Sequence, residues 1–318
     1  MHNSNNSISF SRLWRENPPL ALCYQTKAQA VPLIQVAHRV EPRLQEGPTH
    51  WKKPLKFAIS IGLYCFTLLL ILRFLQHGSE RQQRRVRWIS WGVAALFLVE
   101  VVAIFGQAAR GRVSHFNNET PEDSLIFGLM GAAVMGLFVL HLILTWLIIK
   151  QRSDETVIGS GLRTGLFVSL IGMAMAYPMV TPTTDNIATF QRGEQPARIG
   201  AHTVGALDSG PGLPVTGWST EGGDLRIAHF VGLHGMQILP LFAFWQRRRH
   251  GNHKGARTSV RLAALGYTLF ALALRGQALL APDLFTLGSL VIALAACALA
   301  LLWPTLTRPV IYRNATAA

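Results

Sequence analysis

Apolar residues run in seven blocks, at 55–75, 89–106, 125–149, 165–181, 229–245, 260–280 and 284–303, separated by polar connections. Crossing about 30 Å of hydrocarbon takes roughly 20 apolar residues, and each block is of that order. None alternates with a period of two, which excludes a membrane barrel. Backbone groups in lipid must be satisfied within their own segment, so the blocks are helices. The pattern predicts an all-α polytopic transmembrane helical bundle of about seven helices over 54–303. The block at 165–181 is short and carries Pro178 near its end. Residues 1–53 are polar and mixed, with Pro18, Pro19 and Pro32 and no apolar run long enough to span. They read as a disordered N-terminal tail, or as an over-extended start in which residues 1–48 are not native. They contain no signal-peptide core. Residues 304–318 form a short C-terminal tail.

Composition sharpens the class. Hydrophobic residues make up 50% of the chain, charged residues only 14%, and the mean hydropathy is +0.28. A soluble domain carries about 25% charged residues, so an ordinary cytosolic enzyme is excluded. The net charge of +14 would suggest nucleic acid in a soluble protein. Here the basic residues sit between apolar blocks, in the first, third and fifth connections: Arg81, Arg84, Arg85 and Arg87; Lys150, Arg152 and Arg163; Arg247, Arg248, Arg249, Lys254 and Arg257. The positive-inside rule places these connections and the C-terminus in the cytoplasm and the N-terminus outside, in a bacterial inner (plasma) membrane. Trp88, Trp91, Trp146, Trp245 and Trp303 fall at the inner ends as interface anchors. Arg39, Arg43, Lys52 and Lys53 in the tail oppose this orientation, and the three loops outweigh them. The expected partners are the lipid bilayer and, at the basic run QRRRHGNHKGAR, anionic headgroups; no nucleic acid is expected. Of the three cysteines, Cys65 and Cys297 lie in apolar blocks, Cys23 lacks a lipoprotein context, and there is no CxxC.

Candidate chemistry gathers in the second and fourth connections, both on the expected outer side. The second, 107–123, carries His115; the fourth, 182–228, is long and Gly-rich, carries His202, Asp208 and Asp224, and leads into a helix with His229, His234 and Gln237. Loops longer than about 12–15 residues are uncommon unless functional or disordered. Glu100 and Arg275 fall within blocks near the same outer level, where an ionisable residue marks a site by default, or where the two offset their cost by pairing. His229 and His234 are five residues apart, which separates them around a straight helix and prevents joint metal binding. His115, His202 and His234 would form a metal site only if the loops fold over the bundle mouth. His141 sits deeper, in a structural contact, and His250 and His253 lie in a solvated basic loop. The leading expectation is an outer-face His-rich pocket that binds a divalent metal, haem b or a small redox ligand through His115, His202, His229 and His234. Glu100, Asp208, Asp224 and Arg275 set charge and proton supply. A solute transporter or membrane sensor is the alternative, favoured by the Pro-interrupted segments at Pro178, Pro240 and Pro282. A metal-dependent membrane hydrolase is a third.

The blocks WKKPLKF, RGRVSHFN, GAHTVG, GPGLPVTGWS and GDLRIAHFVGLHGMQ resemble a group of bacterial multi-pass integral membrane proteins that carry no established activity. The resemblance covers about residues 49–241. It implies a membrane location and a shared outer site, and assigns no catalytic residue. Relatives often have proline where Ala228 stands.

Overall fold

The computed structural model describes residues 10–40, 51–76, 79–150, 156–280 and 295–303. The chain divides into two compact units, one of residues 1–148 with 176–226 and the other of 149–175 with 227–318. Five helical segments are long and apolar enough to cross a membrane: Lys52–Leu75, Glu80–Ala109, Pro121–Lys150, Val157–Gln191 and Lys254–Leu280. A bent pair, Leu225–Leu233 with Gly235–His250, makes a sixth if counted as one span. The seventh expected block, 284–303, lies largely outside the described residues, as does the tail 304–318, and residues 295–303 are helical.

The first unit holds α1 (Phe10–Glu16), α2 (Pro18–Val40), α3 (Lys52–Gln76), α4 (Glu80–Ala109), α5 (Pro121–Lys150) and the short α7 (Thr184–Gln191). Over residues 10–40 the expectation of a disordered tail is corrected, because α1 and α2 are helical there; residues 1–9 and 41–50 of that expectation lie outside the described residues. Pro18 and Pro19 occupy the first turn of α2, where a missing N–H costs little. Leu20, Cys23, Lys27 and Ile34 follow at helical spacing and are buried. This one-sided stripe packs on α3 and α4, and average polarity concealed it. Two polar contacts fix the junction of α1 and α2: Asn17 Nδ2 donates to Ser90 Oγ at 2.7 Å, and Arg73 Nε lies 3.0 Å from Glu16 Oε2. At the start of α5, Thr120 Oγ1 accepts from the Asp123 N–H at 3.1 Å and donates to its carboxylate at 2.8 Å, ahead of Pro121. Thr-Pro-Glu-Asp is thus a complete helix start.

In the second unit, α6 (Val157–Ala174) begins at an N-cap, Thr156, whose side chain accepts from the Gly159 N–H at 3.0 Å. It packs against α8 (Leu225–Leu233), α9 (Gly235–His250) and α10 (Lys254–Leu280). Gly161, Gly165 and Gly172 lie along the α6 face that meets α8 and α9, which lets the backbones approach closely. Met175, Ala228, Ala271 and Leu274 form one buried cluster there, and Val157, Ala243, Ala256 and Val260 another. Pro178, flagged in the sequence, falls in a short 3-10 turn, Tyr177–Val180, beyond the end of α6.

Candidate functional site

In the first unit, two connections zip together through their backbones and place the candidate side chains. Ile199 N–H donates to Phe116 O at 3.0 Å and Asn118 N–H to Ala197 O at 2.8 Å. Thr183 and Asn186 make a capping box at the start of α7, and Asn186 Oδ1 then accepts from the Gly200 N–H at 3.0 Å. Gly200 has φ +100°, and a Cβ there would lie 2.3 Å from Met179 O, so the close approach requires glycine. Phe116 is a buried non-glycine residue at φ +62°. That conformation persists only where the surroundings fix it. Its ring packs on Phe127 at 5.7 Å and edge-on to His202 at 4.7 Å, while its carbonyl is held by Ile199.

Strands β1 (Thr203–Val204) and β2 (Gly223–Asp224) pair antiparallel, and Leu225 N–H donates to His202 O at 3.0 Å. Asp208 folds back beneath this ladder. It accepts from the backbone N–H groups of His202 and Thr203 at 3.0 and 2.8 Å and from His202 Nδ1 at 3.1 Å. The proton therefore sits on Nδ1 and the lone pair on Nε2. Asp224 has both oxygens engaged, by the Ser219 N–H at 2.7 Å and by the backbone and guanidinium of Arg226 at 2.9 Å. It closes the loop and has no oxygen left over for proton supply.

His115 stands beside this pair. Its ring lies 5.4 Å from Phe57 and 6.3 Å from Phe127, and Nδ1 is hydrogen-bonded to Ser114 Oγ at 3.0 Å. Glu100, on α4, is only 2% exposed, and its Oε1 has no hydrogen-bond partner among the described residues. The Lys53 ammonium, at the start of α3, acts electrostatically on Glu100, His115 and His202 alike. Burial holds His115 well below the usual imidazole range, helped by Lys53 and His202. Burial also pushes His202 down to about 4, against the opposing hydrogen bond to Asp208. Burial raises Asp208, but the bonds from His202 and Thr203 outweigh it and hold the carboxyl low. Both imidazoles are thus neutral at pH 7, beside an ionised Asp208.

A pH dependence follows. An unfolded histidine binds its proton from about pH 6.5 downward, whereas folded His202 binds one only near about 4. Between those values the unfolded chain holds more protons, so stability rises with pH across that window. Each such imidazole contributes about 1.4 kcal/mol per unit of pKa difference. Asp208, lowered rather than raised, adds stability that is fully present above about 3.9 and does not fade in this window. Thermal melts of detergent-solubilised protein at pH 4.5 and 7 check this. The expected result is a lower midpoint at pH 4.5, with the difference reduced in His202→Gln; equal midpoints for both proteins would refute it.

The remaining candidates belong to the second unit. His229 Nδ1 donates to Gly172 O at 2.8 Å. His234 stands at the break between α8 and α9, packed on Phe230 at 4.3 Å and hydrogen-bonded to Gln237. Arg275 donates to Met175 O at 2.9 Å, at the C-terminal end of α6, where a cation is favoured. Glu100 and Arg275 fall in separate units. Among the described residues no group of three or more His, Cys, Asp or Glu side chains is placed to hold a metal ion. His115 and His202 lie in the first unit and His234 in the second. His141 makes the structural contact expected of it, 2.8 Å from Tyr64 Oη. Sequence reasoning missed Lys53, Phe116 and Arg226 as members of the loop assembly. Arg226, two residues after Asp224, carried the one readable signal.

Compared with known proteins, the chain matches no family model, no curated protein and no solved structure.

Proposed function

We propose that this is a multi-pass protein of the bacterial plasma membrane whose first unit binds a quinone-class redox ligand through hydrogen bonds to its ring oxygens. The observation that carries the reading is the buried Glu100 carboxylate, with an oxygen left unbonded among the described residues, in one charge field with two neutral imidazoles. Phe57, Phe116 and Phe127 around His115 supply the apolar faces that an aromatic ring stacks on. His202 Nε2, held as an acceptor by the bond from Nδ1 to Asp208, accepts the hydrogen bond of one ring hydroxyl. Glu100 Oε1 accepts the hydrogen bond of the other. Protein in lipid nanodiscs should bind a short-chain benzoquinol, read by calorimetry, and His202→Gln and Glu100→Gln should each weaken it about tenfold, or 1.4 kcal/mol. No binding, or equal binding by the variants, would overturn the reading.

The proposal includes seven spans and the orientation set by the basic loops, with 107–123 and 182–228 outside. The exposed Ser209, changed to cysteine in a background with the native cysteines replaced, should label with an impermeant reagent in intact cells. Labelling only after lysis would reverse the orientation. Arg247, Arg248 and Arg249 end α9 on the cytoplasmic side and meet anionic headgroups, with Arg248 stacked over Phe244 at 4.7 Å.

The break between α8 and α9 supports a second reading, solute passage. The two helices bend by 41° at His234, and broken helices expose backbone groups that bind solutes. Solute-dependent flux in proteoliposomes, abolished by His234→Leu, would favour it over the first.

A further inference from the structure

The thiols of Cys23 and Cys65 come from α2 and α3, far apart in sequence, and meet inside the first unit with Cys65 Sγ 3.2 Å from Cys23 Sγ. Cys65 is fully buried and Cys23 is 8% exposed. Several neighbouring contacts fix the register that brings them together. One position further along each helix, the rings of Tyr24 and Phe66 pack at 5.3 Å. One turn away, a methyl group on Gly62 would already touch Lys27 Cβ at 3.5 Å, so the helices run close there. Near the far end, Glu16 and Arg73 form an ion pair at 3.0 Å. Going from the thiols to Lys27 and Gly62, or to Glu16 and Arg73, the chain advances on one side and retreats on the other, so α2 and α3 run antiparallel with the thiols between these contacts. Their meeting is therefore built by a continuous helix interface.

We propose that Cys23 and Cys65 form a redox-convertible pair, which a small disulfide oxidises to a bond that locks α2 onto α3. Cys23 attacks first. The Cys65 thiol donates to its sulfur and the Lys27 ammonium lies nearby, which together favour the Cys23 thiolate against burial. The Cys23 thiolate breaks the S–S bond of the small disulfide, forms a mixed disulfide and expels one thiolate. Cys65, losing its proton, then attacks the Cys23 sulfur, forms the Cys23–Cys65 bond and expels the second thiolate. Two electrons pass from the cysteines to the small disulfide, and the two leaving thiolates take up the two cysteine protons. Closing from 3.2 Å to bonding distance moves the sulfurs by about 1 Å. The product ties the first span to the N-terminal helices.

The exposed Cys297 serves as an internal reference. Full-length protein in detergent is treated with oxidised glutathione, acid-quenched, unfolded in SDS and labelled with a polymer-linked maleimide. Reduced protein should take three labels and oxidised protein one, with an intact mass lower by two hydrogens and no glutathione adduct. Cys65→Ser should instead retain a glutathione adduct at Cys23, the trapped first step, while Cys23→Ser should gain none at Cys65. The oxidised wild-type protein should also melt higher than the reduced protein, a difference absent from both variants. Three labels after oxidation, a bond to Cys297, or adducts formed equally at Cys23 and Cys65 would each overturn the proposal.

Discussion

Replacing Gly172 with valine is expected to unfold the second unit, or to lower its stability by about 3 kcal/mol or more. A Cβ at this position would lie 2.3 Å from Gly232 C and 2.3 Å from Leu233 N, both backbone atoms of α8. No rotamer relieves such an overlap; the helices themselves must separate. Separation would also break the bond from His229 Nδ1 to Gly172 O, leaving a half-buried imidazole N–H without that partner. Even alanine carries the offending atom, so Gly172→Ala should fall well below wild type. Gly106 on α4 is the matched control, because nothing lies within 4 Å of a Cβ built there. Gly106→Ala should be neutral or gain up to about 1 kcal/mol from helix propensity. Thermal melts of the three variants in one detergent check the contrast. Equal behaviour of Gly172→Ala and Gly106→Ala would mean that α6 and α8 do not cross at this distance.

The spans were readable because hydropathy reports a transfer free energy, and lipid leaves a long apolar segment no option but helix. Among the described residues five of the seven blocks coincide with apolar helical segments for that reason, and a sixth does if the bent pair is counted as one span. The same averaging failed on residues 10–40, where Cys23 and Lys27 are buried on one stripe of a helix whose remaining positions mix polar residues with the exposed Leu22, Leu33 and Val36. Burial there is decided by partners on α3 and α4, which no local window contains. The loop histidines were readable as candidates because polar groups clustered in two long connections. The contact of His202 with Asp208 was not, since a six-residue turn can close in many ways. Depth along a helix gives one coordinate of Glu100 or Arg275, and packing sets the others. The meeting of Cys23 with Cys65 had no signal at all in their spacing.

Asp224 carries the other large expected effect. Its side chain is buried and gathers the Ser219 N–H, the Arg226 N–H and the Arg226 guanidinium onto two oxygens. Arg226 Nη2 also donates to Gly217 O at 2.8 Å, so the guanidinium stitches two stretches of the loop to the carboxylate. Asp224→Ala removes the acceptor and leaves three donors facing a void, and breaking a buried charged pair costs about 3–5 kcal/mol. The Arg226 side chain is 26% exposed and regains some water, which puts the expected loss nearer the lower figure, about 3 kcal/mol. Because β2 ends at Asp224 and Leu225 holds the His202 carbonyl, the loss should reach the candidate site and weaken benzoquinol binding as well. Asp224→Asn keeps the shape and one acceptor but not the charge, and should lie between wild type and alanine. Glu221→Gln, at an exposed neighbouring position, should change stability by less than about 0.5 kcal/mol. Adding Arg226→Met to Asp224→Ala should cost little beyond the single change, since the cation stranded by the first replacement is removed by the second. Fully additive losses would show that the two side chains act independently, and that the loop holding His202 is closed by some other contact.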